Sequence, residues 1–300
     1  MKSKQVLNIL PREVKQALER FNIKCENLHE IRMRIGQPVI FVYQMKETVS
    51  TLIATEKLLR ETLDYVSNYS LYAYENELKQ GFITVEGGHR VGVAGCAVLE
   101  NGHVKNLKNI AFLNIRISHE ILHSADKLFP YIVKGNELYH TMIISPPRCG
   151  KTTLLRDFIR QISDGNGFLS GRTVGVVDER SELAGCYRGI PQNHMGMRTD
   201  VLDGCPKAEG MLMLIRSMAP QVIAVDEIGA FEDVQAIRYA MNCGCKMIAT
   251  VHGESMEEIQ RKPLFYELLN EQCFERFIVL CNKQRVGEVV GVYDQNGNRV

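Results

Sequence analysis

Lys151 follows Gly150 and precedes Thr152 and Thr153, at the end of the string S-P-P-R-C-G-K-T-T that runs from Ser145 to Thr153. A glycine, a lysine and a hydroxyl in that order suit a polyphosphate. Backbone N–H groups and a helix N-terminus form an anion cradle. The lysine reaches the β- and γ-phosphates, and the hydroxyl holds Mg²⁺. Ser145, Pro146, Pro147, Arg148, Cys149, Gly150, Lys151, Thr152 and Thr153 are therefore candidate nucleotide-binding residues, with ATP and Mg²⁺ as the expected ligands. The string departs from G-x-x-x-x-G-K-[ST] at its first position, Ser145, where a required positive φ would make serine costly.

Two acids close a second string, Val222-Ile223-Ala224-Val225-Asp226-Glu227. An apolar strand delivering acids to its end is the pattern of a Walker B segment. Asp226 is expected to hold Mg²⁺ together with Thr152. Glu227 is expected to polarise the attacking water as a general base. Between the two strings lies Thr173-Val174-Gly175-Val176-Val177-Asp178-Glu179-Arg180-Ser181-Glu182, another apolar run ending in acids, which makes Glu179 and Glu182 candidates. A fourth run, Met247 to Gly253, ends in Thr250 and His252. His252 there could sense a γ-phosphate or position water.

These residues can act together only if strands carry them to one edge. The apolar run Thr141–Ile144 before the loop reads as a buried strand, and Thr153–Ile159 after it reads as a helix. Parallel strands place such residues at their carboxyl ends, where open α/β sheets bind ligands. The alternation of strands and helices after residue 136 argues for a parallel sheet. Helices are expected over Ala208–Met218 and Phe231–Asn242, and strands over Phe277–Cys281 and Val286–Tyr293. Pro191 to Cys205 reads as a loop whose methionines, Met195 and Met197, either pack or contact a partner.

The preceding half has a different grain. A helix over Pro11–Phe21, a strand over Pro38–Tyr43 and a Thr55-capped helix come first. A helix over Tyr72–Gln80 follows, and then strands Phe82–Val85, His89–Leu99 and Ala111–Ile117. A helix from Ser124 to Val133 and a break at Lys134-Gly135-Asn136 follow. The expected architecture is α/β: a small N-terminal α+β domain over 1–135, then a RecA-like P-loop ATPase domain with a mostly parallel sheet over 136–300.

Bulk properties narrow the function classes. The net charge of +1 gives no electrostatic argument for nucleic acid or an anionic membrane. The longest run without a charge, Ile35 to Met45, falls well short of the roughly 20 residues a spanning helix needs. The start, Met1-Lys2-Ser3-Lys4, leads into mixed polar sequence rather than a signal-peptide core. The nine cysteines show no C-x-x-C pair, a profile expected of a reduced, cytoplasmic protein.

Small-molecule kinases usually carry the P-loop close to the N-terminus, and AAA+ modules follow their core with a helical lid. Neither arrangement suits this chain, which leaves a RecA-like core. The ATPase half resembles the type II/IV secretion ATPases, whose Walker A, acid box, Leu-Arg-x-x-Pro lead-in and His box appear here in order. They fall at Ser145–Thr152, Asp178–Glu182, Leu214–Pro220 and Ala249–Gly253. The strings Leu28–Pro38, Gly87–Gly95 and Asn114–Ser118 resemble the stage III sporulation protein AA family. Asp226 stands where the secretion relatives often have glycine.

The resemblance implies a motor in the mother cell of an endospore-forming bacterium, peripheral to a membrane complex. It would hydrolyse ATP to energise assembly of, or transport through, a mother cell–forespore channel. It implies a hexameric ring and channel proteins as partners, without direct membrane insertion or nucleic acid. Arg90, Arg116 and Arg216 are then candidates to neutralise the nucleotide's charge, Arg216 from the same or a neighbouring subunit. A RecA-like, nucleic-acid-stimulated NTPase is the alternative, and a non-hydrolysing scaffold a third reading.

Overall fold

A computed structural model describes residues 2–44, 46–281 and 287–300. The chain packs as two compact units: residues up to 119 together with 185–192, and residues 120–184 together with 193–300.

The first unit opens with the short helix α1 (Lys2–Gln5), a 3₁₀ turn and α2 (Arg12–Arg20). Its sheet holds β1 (Leu28–Arg34), β2 (Pro38–Tyr43), β3 (Lys46–Ile53), β4 (Phe82–Val85), β5 (His89–Glu100) and β6 (His103–Arg116), in the order β3-β2-β1-β6-β5-β4. Every pairing is antiparallel. Alternation along the strands sends Ile31, Met33, Val39, Phe41, Val91, Val93, Leu113 and Ile115 into one core. Helix α3 (Glu56–Val66) covers that core with Leu58, Leu59 and Val66, and the Thr55 hydroxyl caps it by accepting from the Leu58 N–H at 3.1 Å. The expected helix over 72–80 is a 3₁₀ turn at Leu71–Tyr74 followed by the short α4 (Glu75–Lys79). Asn101 (φ 52°) and Gly102 (φ 79°) turn the long β5–β6 hairpin, as the Asn-Gly signal requires.

The second unit begins with an irregular stretch where a helix was expected over 124–133; only Phe129–Ile132 forms a 3₁₀ turn. His123 takes a left-handed φ of 66°, and the Ala125 N–H is bound by the Asp157 carboxylate at 2.8 Å rather than by a helical carbonyl. The apolar residues behind the helical pattern, Leu128, Phe129 and Ile132, are buried without it. Gly135 and Asn136 form the turn of a small hairpin, β7 (Val133–Lys134) and β8 (Glu137–Leu138).

The large sheet follows: β9 (Thr141–Ser145), β10 (Val174–Asp178), β11 (Thr199–Asp203), β12 (Val222–Val225), β13 (Lys246–His252), β14 (Arg276–Cys281) and β15 (Glu288–Asp294). Its order is β11-β10-β12-β13-β9-β14-β15, parallel throughout except for the last pair. Central strands β9, β10 and β12 are buried from end to end, as continuous apolar runs predict. Helices α5 (Lys151–Asp164), α6 (Lys207–Met218) and α7 (Phe231–Asn242) make the crossovers; α8 (Met256–Arg261) and α9 (Tyr266–Asn270) precede β14. β11 lies where a loop was expected. Its sequence, Thr-Asp-Val-Leu-Asp, is too polar to signal a strand, and it sits at the sheet edge, half exposed. The expected strand start at Val286 lies outside the described residues. No described helix is long and apolar enough to cross a membrane.

Candidate nucleotide site

The parallel register sets the site. Ser145 ends β9 directly beside His252, which ends β13, and Val225 of β12 lies beside Ala249 of β13. The strings singled out in the sequence therefore end on one edge of one sheet.

Ser145 is fully buried and outside the left-handed region, so serine carries no backbone cost there. The positive φ values fall later, at Arg148 (61°) and Gly150 (80°). Left-handed residues curl a loop so that its N–H groups converge, which is the geometry of an anion nest. Gly150 is the N-cap of α5, so Lys151 and Thr152 stand in the first turn, where unpaired N–H groups and the helix dipole favour an anion. Pro147 and Arg148 are exposed; the Cys149 side chain points inward, fully buried.

Lys151 is 6 % exposed. Its ammonium lies 2.5 Å from Glu227 Oε1 and 3.5 Å from Asp226 Oδ1. The Thr152 hydroxyl donates to Asp226 Oδ2 at 2.7 Å, and the Thr250 hydroxyl donates to Asp226 Oδ1. The Thr250 oxygen also accepts the Glu227 N–H at 2.9 Å. Glu227 has a left-handed φ of 57°, an uncommon state for a non-glycine residue outside constrained sites. Its Oε1 receives His252 Nε2 at 3.1 Å, and its Oε2 receives Arg180 Nη1 at 3.0 Å. Burial raises the pKa of Glu227, but the Lys151 hydrogen bond and the charges of Lys151, His252 and Arg180 outweigh it and hold the carboxyl below the usual range. An ionised carboxylate only accepts, so His252 donates through Nε2, and its buried Nδ1 has no partner among the described residues.

The acid box divides its labour. Asp178 is 3 % exposed and accepts the N–H groups of Glu182 and Ala184, each at 2.8 Å. Burial raises its pKa against those bonds. It folds the segment into a turn that sends Glu179 and Arg180 outward. Glu179 pairs with Lys207 at the start of α6. Glu179 and Glu182 both line the cleft that holds Asp226 and Glu227. Arg156 of α5 braces the same turn, donating to the Glu182 and Leu183 carbonyls at 2.6 Å each.

Lys151, Thr152, Asp226, Glu227 and His252 are thus brought within hydrogen-bond reach of one another. Arg216 is not. It lies exposed in the last turn of α6, and the chain just beyond it meets the opposite edge of the sheet, where Gln221 N–H binds the Thr173 carbonyl at 3.0 Å. Arg90 and Arg116 face each other in register on β5 and β6 of the first unit, Arg90 stacked 4.0 Å over the Phe82 ring. Sequence reasoning missed Thr250 and Arg180 as partners of the two acids. Thr250 was findable, because it precedes His252 by two on one strand and shares its face. Arg180 carried no such signal.

The donor set fits a Mg²⁺–nucleotide. A hydroxyl and a carboxylate 2.7 Å apart at a helix N-terminus offer the oxygen ligands that Mg²⁺ prefers, and a lysine stands beside them.

The whole chain, residues 1–300, matches the family model described as "Sporulation stage III, protein AA". It is 43% identical over 295 residues to "Stage III sporulation protein AA" of Bacillus subtilis (strain 168), covering 98% of this chain and 96% of that one. Among solved structures, the Legionella pneumophila ATPase DotB superposes with a TM-score of 0.62 at 16% identity, over 95% of this chain and 81% of that one. The pilus retraction motor PilT with bound ADP gives 0.59 at 14% identity, over 89% and 76%. At such identities the likeness is one of fold.

Proposed function

Because this chain belongs to the sporulation stage III protein AA family, we propose that it is an ATPase whose hydrolysis cycle energises assembly of, or transport through, a channel complex of the sporulating cell. One observation carries the chemistry: Lys151, Thr152, Asp226, Glu227 and His252, from the ends of two sheet strands and one helix N-terminus, form a single hydrogen-bonded group.

Bound Mg²⁺–ATP supplies the scissile anhydride. Thr152 and Asp226 would hold the metal, which would neutralise charge on the phosphates. The N–H groups of the loop and Lys151 hold the phosphates, which draws Lys151 away from the acids. Glu227 Oε1, released from that pair, takes the proton of the attacking water. Arg180 on Oε2 and His252 keep the carboxylate aimed and ionised, and Thr250 fixes its backbone. Glu179 and Glu182 shape the acidic wall of the cleft. Arg216, remote from its own chain's Lys151, serves the site of a neighbouring copy in a hexameric ring, and Arg90 and Arg116 add cations for the polyphosphate. The fold shared with the pilus retraction motor PilT supports a mechanical role for the cycle.

The test is equilibrium binding of ATP with phosphate release on the same samples. Wild type should bind and hydrolyse Mg²⁺–ATP, and Lys151→Ala should do neither while keeping its circular dichroism. A folded Lys151→Ala protein with wild-type affinity would contradict the assignment.

A further inference from the structure

His252 reaches Glu227 from the last residue of β13, where the sheet is running out. Pairing with β12 has ended at Ala249, and pairing with β9 ends at His252 itself, beside Ser145. Its ring stands in the open: the side chain is 43 % exposed and lines, with Glu227, Val251, Lys262, Leu264 and Phe265, a cavity of about 570 Å³. Among the described residues the ring has one bond, Nε2 to Glu227, since Nδ1 has no partner. A ring with room to turn and a single bond is aimed chiefly by its own backbone.

The chain beyond His252 holds that backbone. The Gly253 N–H binds the Ser145 carbonyl at 3.2 Å. A Cβ on Gly253 would stand 2.6 Å from Ile259 Cδ1 and 3.3 Å from Ile144 Cγ2, so the turn is pressed between α8 and β9. Ser255 then caps α8, its hydroxyl accepting the Glu258 N–H at 3.3 Å. Lys262, one residue past α8, closes the turn. Its ammonium donates to the His252 carbonyl at 2.7 Å and lies 2.7 Å from Glu258 Oε1. Glu258 Oε2 accepts the Glu254 N–H at 2.6 Å. The Lys262 bond, then the Glu254 N–H, hold the Glu258 carboxyl below its usual range. An exposed lysine–glutamate pair contributes little by itself. This one has a third member, a charge-assisted bond to the carbonyl of the residue whose ring touches Glu227.

We propose that Lys262 is a positioning residue for hydrolysis: by joining the His252 carbonyl to Glu258 it fixes the end of β13, so that the His252 ring meets Glu227 and keeps its carboxylate aimed. The proposal rests on the reading of Glu227 as the base and adds the residue that keeps its histidine partner in place. An ion pair that only fastened α8 would serve stability and leave the ring unaffected.

Nitrogen-15 spectra of the histidine rings in nucleotide-free protein test the link, with His252→Ala identifying the signal. In wild type the His252 Nε2 signal should stand at the proton-bearing position. In Lys262→Met it should move toward the average of the two tautomers, and Lys262→Arg, which keeps a donor to the carbonyl, should restore it. Turnover is the second readout. Lys262→Met should lower kcat for Mg²⁺–ATP about tenfold and leave KM within about twofold. Its melting temperature should fall by about 2 °C or less. In a His252→Ala background the same substitution should change kcat no further, because no ring is left to place. Glu258→Gln, at a half-exposed position, loosens the ammonium and carries both readouts if the methionine variant does not fold. A wild-type ring signal in Lys262→Met and in Glu258→Gln would overturn the positioning role, and so would an undiminished loss of kcat in the His252→Ala background. A wild type that releases no phosphate would overturn the ATPase reading, and the ring signals alone would then support or reject the hold of Lys262 on His252.

Discussion

Lys151 and Glu227 hold each other 2.5 Å apart, so each residue's state depends on the other. Removing the lysine takes away the hydrogen bond and the charge that hold the Glu227 carboxyl low, and its pKa rises toward normal. The Glu227 shift has a definite sign for stability. A depressed carboxyl contributes stability that is present above its unfolded value and lost as pH falls through its folded value. Lys151→Ala should therefore flatten the acid limb of the stability curve below about pH 4.5, measured by thermal melts across pH. Thr250 makes a separate prediction. Thr250→Val keeps the shape but removes the donor to Asp226 and the acceptor for the Glu227 N–H. It should destabilise the fold by about 1–2 kcal/mol in urea titration and slow phosphate release more than it weakens ATP binding. An unchanged release rate would make Thr250 a scaffold residue only.

At the scale of elements, the site is the consequence of strand order. β12, β13 and β9 are neighbours, so their ends are neighbours. The opposite edge is tied by His140, whose Nδ1 accepts the Met247 N–H at 3.2 Å and joins the chain before β9 to β13. Burial, then the charge of Lys246, push its pKa down to about 4 against the pull of Glu275. The unfolded chain binds this proton near pH 6.5 and the folded one does not, so stability falls as pH drops from about 6.5 toward 4. His140→Gln, which can still accept from Met247, should remove most of that slope; melting temperatures at pH 7.5 and 5 would show it. The elements legible in the sequence were those whose local chemistry agreed with their tertiary role. Thr55 did cap α3, Phe82–Val85 did form β4, and Phe231–Asn242 did form α7. The misses came where tertiary contacts overrode local pattern. The 124–133 segment has helical spacing, but Asp157 takes a backbone donor and Pro130 enters a 3₁₀ turn. β11 has too few apolar residues to announce itself and exists because β10 offers it a free edge. Within the site, the residues at loop and strand ends were readable because their chemistry is bound to position, whereas Arg180 meets Glu227 only through the turn that Asp178 folds.

For the whole molecule, the proposal is a ring that uses its nucleotide between copies, with Arg216 turned away from its own site. Light scattering on a Glu227→Gln protein should show a larger mass with Mg²⁺–ATP than without it. A monomer at every ATP concentration would reject nucleotide-driven self-assembly in the absence of partners and leave the chemistry standing. The central claim is narrower: Glu227 is the base of an ATP-hydrolysing site. Its most direct measurement is steady-state phosphate release by wild type and Glu227→Gln, on samples shown to bind ATP equally. The amide is nearly isosteric and cannot take a proton, so release should fall about 10²–10⁴-fold with binding kept. Release at the wild-type rate by the glutamine variant would contradict the account.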